Sequence, residues 1–236
     1  MKNLKIFIGY DSKEPAAYHT CVQSIIEHSS KPLSITPLKL SQLKEYKRTD
    51  VKSTVEFSLT RFLVPYLSEF QGWSLFMDCD MIVQTDLSKL LDEIHEPGLI
   101  SWNMPPVYIC PHDYVTKVET KATGKNEHYP RKNWSSFMLF NNMQCVSLSP
   151  EYINYATPAE LHRLQWAKEI GELPLEYNWL VGEYKKNADA KVLHYTLGTP
   201  CFKGYEDGAH SDIWYKYFKK AIHPLTPETI SRKLED

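Results

Sequence analysis

The residues with the clearest chemical potential are two aspartates separated by one residue, in Asp78-Cys79-Asp80. They directly follow residues 73–77 (WSLFM), a short apolar segment that we predict to be a buried strand. Residues two apart in an extended chain point to the same side, so both carboxylates face one spot while Cys79 points away. Two carboxylates cannot complete the coordination shell of a divalent cation, and phosphate oxygens and water would fill its other positions. The pattern therefore predicts a cation that neutralises a nucleotide diphosphate.

Two other uses of an Asp-x-Asp pair can be compared with this one. An EF-hand is excluded, because its sixth position would fall on Val83 instead of glycine and its final glutamate position on Lys89. An aspartate-nucleophile phosphatase stays open, with Asp78 attacking phosphorus and Asp80 acting as the acid–base group. That chemistry normally uses the first strand of its domain, whereas this pair follows the third predicted strand. The placement favours the cation and nucleotide.

Predicted strands alternate with helices along the first half of the chain, which is typical of an α/β fold with a mainly parallel sheet. Such sheets bind ligands beyond the carboxyl ends of their strands, where the aspartate pair lies. The predicted strands cover residues 4–9, 33–38, 73–77, 99–102, 137–140 and 191–195. The predicted helices cover residues 15–29, 60–70, 86–94, 158–170 and 211–222. Residues 105–134, which are polar and rich in His, Lys and Pro, are predicted to form a long functional loop.

Length and composition exclude several classes of protein. The chain has 236 residues without an internal repeat or a linker, so we predict a single domain over residues 1–236 with a peripheral tail at about 223–236. The 27 Lys+Arg and 29 Asp+Glu give a net charge of −2, which leaves no basic excess for binding nucleic acid. No P-loop, Gly-x-Gly-x-x-Gly or Gly-x-Ser-x-Gly motif occurs, so other nucleotide-binding loops and serine hydrolases have no support.

Cysteine usage and hydropathy bear on the setting of the protein. No stretch approaches the ~20 consecutive apolar residues that span a bilayer, so we expect no transmembrane segment. The cysteines are odd in number and scattered, and no two form a Cys-x-x-Cys pair, which argues against a disulfide framework and a structural zinc site. We therefore expect a reducing, cytoplasmic setting. The cysteines are Cys21, Cys79, Cys110, Cys145 and Cys201.

Six short segments occur in an order that resembles bacterial and phage glycosyltransferases related to family 8, which have the GT-A fold. They are residues 8–11 (IGYD), 60–65 (TRFLVP), 76–80 (FMDCD), 132–136 (KNWSS), 173–180 (LPLEYNWL) and 194–196 (HYT). The resemblance runs from about residue 4 to residue 218. It implies a Rossmann-like domain that transfers a sugar, with retention of configuration, from a nucleotide-diphosphate sugar. The expected donor is UDP-linked, the expected cofactor is Mn²⁺ or Mg²⁺, and the acceptor is a hydroxyl of a glycan, a lipid-linked sugar or a small molecule.

The resemblance also implies roles for individual residues. Asp78, Asp80 and His194 would bind the cation, and an imidazole beside two carboxylates favours Mn²⁺ over Mg²⁺. From the residues alone, the preferred interpretation of His194 is a hydrogen-bonded histidine at a strand end. The residues expected to contact the donor are Gly9, Tyr10, Asp11, Arg61, Asp78, Cys79, Asp80, Ser135, Gly198 and Lys203. Those expected to take part in catalysis are Arg61, Asp78, Asp80, Ser136 and Gln165.

Some features of the sequence leave alternatives open. Gln165, Glu172 and Glu176 all fall in the region that lines the donor sugar in the resembled family, and the sequence does not choose among them. After His194 the family usually has a glycine-containing turn and Lys-Pro-Trp, whereas this chain has residues 197–203 (LGTPCFK). This departure keeps a third hypothesis open, a relative that has lost catalysis and binds a glycan. The basic residues of segment 117–132 predict either a solvated loop or a lid over an anionic ligand.

Overall fold

The computed structural model describes residues 4–50, 55–94 and 101–222. The strands are β1 (Lys5–Tyr10), β2 (Ser34–Lys39), β3 (Trp73–Met77), β4 (Met81–Val83), β5 (Val107–Ile109), β6 (Thr120–Lys121), β7 (Gly124–Lys125), β8 (Phe137–Asn141), β9 (Ile170–Glu172), β10 (Trp179–Leu180) and β11 (Val192–His194). The α-helices are α1 (Pro15–His28), α2 (Val64–Leu67), α3 (Pro150–Tyr155), α4 (Pro158–His162) and α5 (Ser211–Ile222). None of the helices in these ranges is long and apolar enough to cross a membrane.

The central sheet has six strands in the order β2-β1-β3-β8-β5-β9. The β2–β1, β1–β3 and β5–β9 pairs are parallel, and β8 runs antiparallel to both of its neighbours. The sheet is therefore mixed but mainly parallel, which confirms the predicted α/β class. Strands β1, β3 and β8 are buried almost throughout, as their continuous apolar sequences require.

A second sheet of three strands has the order β10-β11-β4. β4 begins directly after Asp80, and it pairs antiparallel with β11 so that Met81 lies opposite His194. A small apolar cluster supports this sheet and includes Trp214 and Tyr217 of α5, both nearly fully buried. The carboxyl end of β3 and the end of β11 thereby come to the same place.

The predicted strands at 4–9, 33–38, 73–77, 137–140 and 191–195 are confirmed to within one or two residues, as are the helices at 15–29 and 211–222. The predicted helix at 60–70 is wrong in its extent. It consists of a 3-10 turn at Thr60–Leu63 followed by the single turn α2. Glu69 and Phe70 then take left-handed backbone conformations, with φ of 57° and 52°, and this ends the helix.

Three further predictions need correction. The predicted helix at 158–170 stops at His162, because Leu164 adopts a left-handed φ of 56° and the chain turns toward β9. The segment 86–94 is helical but of the 3-10 type over Leu87–Glu93, with Asp86 as its N-cap. Within the predicted strand at 99–102, residues 99 and 100 lie outside the described residues, and Ser101–Asn103 forms a 3-10 turn. The predicted tail 223–236 also lies outside them.

The predicted loop at 105–134 contains secondary structure of its own. β5 lies inside the central sheet between β8 and β9, and β6 and β7 form a short hairpin. Both elements are too short to produce a clear hydrophobic pattern, so the polar residues around them dominated the sequence signal.

Candidate functional site

Asp78, Asp80 and His194 form a cluster of potential metal ligands. One ligand atom from each residue lies within 4.8 Å of the others. His194 Nε2 is 3.3 Å from Asp80 Oδ1, and the histidine side chain is buried. Oδ1 of each aspartate is buried without a hydrogen bond of ordinary geometry, although each faces a nitrogen atom of a basic residue. Two carboxylates and one buried imidazole that converge on one point are a donor set that fits a divalent cation such as Mn²⁺.

Backbone hydrogen bonds between the two sheets fix this cluster. The Asp78 amide donates to the Ser136 carbonyl at 2.9 Å, which ties the end of β3 to the start of β8. The Tyr195 amide donates to the Asp80 carbonyl at 2.8 Å and extends the pairing of β11 with β4. The positions of all three potential ligands therefore follow from strand pairing.

Asn178 holds the ring of His194. Its Oδ1 lies 2.8 Å from His194 Nδ1, and its Nδ2 donates to Ser136 Oγ at 2.9 Å. Because the amide NH₂ group is directed at Ser136, the amide oxygen accepts the Nδ1 proton of the imidazole. Nε2 is then the ring nitrogen left beside Asp80 to bind a cation, as in many histidine metal sites. Asn178 belongs to the segment 173–180 that carried the family resemblance, but no role was predicted for it.

Arg61 is buried beside Asp78. Its Nη1 lies 2.9 Å from Asp78 Oδ1 and donates to the Ser135 carbonyl at 2.7 Å. Its guanidinium group lies over the rings of Phe57 and Phe76, with distances to the ring centroids of 5.4 and 4.8 Å. The arginine therefore fixes one aspartate of the pair and offsets its charge.

Gly9 has no side chain and so leaves space for the ring of Phe57. A Cβ atom at this position would lie 2.4 Å from the ring of Phe57, the ring that supports Arg61. Tyr10 packs edge-on against Tyr18, with ring centroids 5.4 Å apart, and the Lys39 ammonium lies 5.7 Å from its ring centroid. Gly9 and Tyr10 were both predicted to contact the donor, but neither of them lines the cleft that contains the aspartates.

The protonation states at the site respond to burial and to neighbouring charges. Burial raises the pKa of Asp78 to about 6, although Arg61 opposes the shift. Burial also disfavours the charged form of Asp80, but the facing His194 outweighs it and lowers the pKa of Asp80. Burial, together with the charge of Asp80, raises the pKa of Glu14 to about 7. The Thr199 hydroxyl donates to Glu14 Oε1 at 2.6 Å.

The cluster lies in a cleft that brings together seven of the residues predicted to contact a donor, the predicted catalytic Ser136 and the predicted ligand His194. The predicted residues that line it are Asp11, Arg61, Asp78, Cys79, Asp80, Ser135, Ser136, His194 and Gly198. Lys121, a basic residue of the segment predicted as either a solvated loop or a lid, also lines it. Other lining residues were not predicted, among them Glu14, Ser58, Tyr129, His162 and Phe202. Long-range packing brings these residues to the cleft, so no local pattern signalled them.

Two other predicted residues do not line the cleft. Gln165 is exposed beyond the end of α4, and His162 from the last position of that helix lines the cleft. Lys203 is exposed, whereas Phe202 from the same turn faces the cleft. An aromatic side chain is therefore present at this wall although Cys201 replaces the tryptophan of the resembled family.

The β6–β7 hairpin carries one basic residue to the cleft. The Ala122 amide donates to the Leu197 carbonyl at 2.7 Å, which joins the hairpin to the turn after His194. This approach needs Gly198, which has a φ of 148° and whose Cβ would lie 2.6 Å from that of Ala122. Lys121 lines the cleft, and its charge lowers the pKa of both Asp78 and Asp80. This arrangement supports the lid hypothesis at Lys121.

The segment that leads to this hairpin is anchored on a buried carboxylate, Glu183. Lys117 N donates to Glu183 Oε2 at 3.2 Å, and Asn126 Nδ2 donates to its Oε1, also at 3.2 Å. Lys132 is buried and donates to Asn126 Oδ1. Lys132 is thus part of the internal support of the loop, while Lys121 faces the ligand side.

Comparisons with solved structures define the class of fold. WbbM, a bifunctional glycosyltransferase, superposes with a TM-score of 0.57 at 17% identity, over 99% of this chain and 52% of WbbM. The galactosyltransferase LgtC, solved with donor and acceptor sugar analogs, superposes with a TM-score of 0.54 at 9% identity, over 97% of this chain and 99% of LgtC. The chain therefore has the fold of GT-A glycosyltransferases, and it spans about half the length of WbbM.

The family follows from a sequence relative. No protein-family model matches the chain. Protein CDI of Arabidopsis thaliana is 40% identical over 229 residues, which cover 90% of this chain and 85% of the plant protein. The chain belongs to the family of Protein CDI. This relative is a plant protein, whereas the segments of the sequence resembled bacterial and phage enzymes.

Proposed function

We propose that the protein is a metal-dependent glycosyltransferase that moves a sugar from a UDP-sugar to a hydroxyl acceptor with retention of configuration. The observation that carries the proposal is the convergence of Asp78, Asp80 and His194 at one point of a GT-A fold. The solved neighbours named above are glycosyltransferases by their descriptions, and LgtC binds donor and acceptor sugar analogs. The UDP donor and the retention of configuration rest on the sequence resemblance.

Some residues of the cleft would bind the cation, and others would stabilise the negative charge of the diphosphate or orient the ligands. Asp78, Asp80 and His194 would hold a divalent cation, which supplies charge neutralisation to a departing diphosphate. Lys121 places a second positive charge on the ligand side of the aspartates. Arg61 keeps Asp78 oriented through its ion pair at 2.9 Å. Positive groups fixed before the reaction stabilise the charge that develops on the leaving group.

The acceptor hydroxyl would attack on the face that the diphosphate leaves. A phosphate oxygen of the departing group would then take the acceptor proton, so the chain need not supply a base. Glu172, exposed at the end of β9, does not line the cleft, which leaves it without a role as a nucleophile there. Ser135 and Ser136 line the wall beside Asp78 and would contact the sugar.

The alternatives fit the geometry less well. A phosphatase needs the Asp78 carboxylate to attack phosphorus, but Oδ1 of Asp78 faces Arg61 in an ion pair. That chemistry also gives no reason for a buried imidazole held with Nε2 directed at Asp80. A glycan-binding relative without catalysis would not need to keep all three potential ligands and a basic residue beside them.

The test is calorimetry of UDP binding with and without Mn²⁺, followed by transfer and hydrolysis assays on a panel of UDP-sugars. We expect UDP to bind only with Mn²⁺, and Asp80→Asn to lose both this binding and turnover. Asp189→Asn, at an exposed aspartate away from the cleft, is the matched control and should behave as the wild type. Undiminished turnover in Asp80→Asn, or a beryllofluoride adduct on Asp78, would overturn the proposal.

A further inference from the structure

We propose that His162 is a positioning residue for donor selection, which holds the hydroxyls of Ser58 and Ser135 so that they recognise an uncharged sugar. The inference rests on the proposed function, because it assigns one wall of the same cleft to the sugar of the donor. All three residues line the cleft.

His162 bridges the two serines. Its Nδ1 lies 2.8 Å from Ser135 Oγ, and its Nε2 lies 3.3 Å from Ser58 Oγ. The edge of its ring packs against Phe62, with ring centroids 5.4 Å apart, which restricts rotation of the imidazole. Both ring nitrogens are therefore directed at hydroxyl groups of the cleft wall.

The bridge gives the two hydroxyls different roles. A neutral imidazole has one N–H donor and one acceptor nitrogen. The serine that faces the acceptor nitrogen must use its proton there and can only accept from a ligand. The serine that faces the N–H group keeps its own proton and can donate to a ligand. The wall thus presents one donor and one acceptor, which is a match for the hydroxyl groups of a sugar.

The imidazole stays neutral at physiological pH. Burial, followed by the positive charge of Arg61, lowers the pKa of His162 to about 3. Arg61 itself is engaged by Asp78 and by the Ser135 carbonyl. Neither His162 nor Arg61 consequently offers a free positive charge to a carboxylate of a ligand at this wall. We therefore expect a neutral hexose or N-acetylhexosamine and not a uronic acid.

The wall is also continuous with the cation cluster. Arg61 Nε donates to the Ser58 carbonyl at 2.9 Å, and Arg61 Nη1 donates to the Ser135 carbonyl at 2.7 Å. Both serines thus flank the arginine that pairs with Asp78. A sugar attached to a diphosphate at the cluster would reach these hydroxyls. Gln165, the predicted residue of this region, is exposed and does not line the cleft.

The experiment compares binding of UDP with binding of UDP-sugars. Calorimetry with Mn²⁺ would use UDP, UDP-glucose, UDP-galactose, UDP-N-acetylglucosamine and UDP-glucuronic acid. For the wild type we expect one of the neutral donors to bind more tightly than UDP. We expect UDP-glucuronic acid to bind no more tightly than UDP. For His162→Ala we expect UDP affinity within twofold of the wild type and a loss of about tenfold in affinity for the preferred donor.

Conservative variants separate positioning from a structural role. His162→Asn keeps a polar group near Ser135, and His162→Gln keeps one near Ser58, so each should restore part of the affinity for the preferred donor. Ser58→Ala and Ser135→Ala leave the imidazole in place and should reproduce the loss. In transfer assays the KM for the donor should rise more than kcat falls. Circular dichroism checks that each variant folds.

The possible failures are distinguishable. If the wild type does not bind UDP with Mn²⁺, the proposed function fails and this inference fails with it. If UDP and the donors bind but the His162 variants change both affinities equally, only the inference is overturned. The same holds if UDP-glucuronic acid binds as tightly as the neutral donors.

Discussion

The two sheets of the molecule contribute to the site in different ways. The six-stranded sheet supplies Asp78 and Asp80 directly at the end of β3, next to a large apolar core. The three-stranded sheet supplies His194 through the pairing of β11 with β4, and it packs partly on a separate small cluster of buried side chains. Two of the three candidate ligands therefore adjoin a strand inside the main core, and the third depends partly on a small satellite core.

This difference indicates where the site is vulnerable. A side chain in a large core is held by many neighbours, and the loss of one contact is shared among them. In the small cluster, Trp214 of α5 is nearly fully buried and stacks on Phe218, with ring centroids 4.9 Å apart. We expect damage there to reach His194 before it reaches the aspartates.

The largest effect is expected for Trp214→Ala, which removes the biggest side chain of the small cluster. Loss of a buried aromatic side chain costs about 3–5 kcal/mol in the free energy of unfolding. Denaturant unfolding measures this cost, and calorimetry of Mn²⁺ and UDP below the unfolding transition measures the effect on the site. We expect the folded variant to bind Mn²⁺ more weakly than the wild type.

The matched control is Trp73→Ala, at the amino end of β3 and away from the aspartates. Trp73 is partly buried beside Tyr108, so its loss should also destabilise the protein. Its Mn²⁺ affinity should nevertheless stay near that of the wild type. Equal losses of Mn²⁺ affinity in the two variants would contradict the contrast between the cores.

A second prediction concerns the ligands themselves. If each sheet supplies a true ligand, His194→Ala and Asp80→Ala should each lower Mn²⁺ affinity by at least about 100-fold, or roughly 2.7 kcal/mol. Electron paramagnetic resonance of free Mn²⁺ measures this without any assay of turnover. Wild-type affinity in His194→Ala alone would mean that the small sheet supports the fold and contributes no ligand.

The next prediction concerns how Asn178 orients His194, the candidate ligand on the three-stranded sheet. Asn178→Ala removes the acceptor of the His194 Nδ1 proton and should lower metal affinity by about 10–100-fold, as loss of such partners does elsewhere. Asn178→Asp keeps an acceptor at the same position and should stay closer to the wild type than the alanine variant. If the two variants bind Mn²⁺ equally well, the hydrogen bond at 2.8 Å does not orient the imidazole.

The same contrast explains what the sequence could predict. Asp78 and Asp80 adjoin an apolar strand, so the local pattern was enough to predict the strand, which is confirmed, and to suggest a cation site there. No local pattern identifies His194 as a ligand. It was predicted to bind the cation because six segments of the chain together resemble a known family. Asn178 reaches His194, and Lys121 and Glu14 reach the cleft, through packing of distant segments, which hydrophobic periodicity does not encode.

The error at α4 has a more specific cause. Thr157 and Glu160 form a capping box that starts the helix, and the apolar pattern continues beyond it. The left-handed backbone at Leu164 ends the helix in a way that no glycine or proline announces. The helix predicted over residues 158–170 included Gln165, which was predicted to be catalytic. The helix ends at His162, and it is His162 that lines the cleft.

The smallest expected effect links the two regions through Glu14, just before α1, and Thr199, after β11. The raised pKa of Glu14, from 4.5 to about 7, means that the folded protein holds this proton more tightly than the unfolded chain does. The contribution of Glu14 to stability is therefore fully present below about pH 4.5 and is lost as the pH rises through about 7. Glu14→Gln removes this dependence and can still accept the Thr199 hydrogen bond.

We expect Glu14→Gln to match the wild type in the free energy of unfolding near pH 4.5 and to exceed it by about 1 kcal/mol at pH 8. This figure is smaller than the full shift implies, because the residue is partly exposed and solvent screens its charge. Denaturant unfolding at both pH values measures the difference. Saturating Mn²⁺ should reduce it, because a cation beside Asp80 lowers the pKa of a neighbouring carboxyl group. A difference that is the same with and without Mn²⁺ would mean that no cation binds near Asp80, and would remove the electrostatic link between α1 and the small sheet.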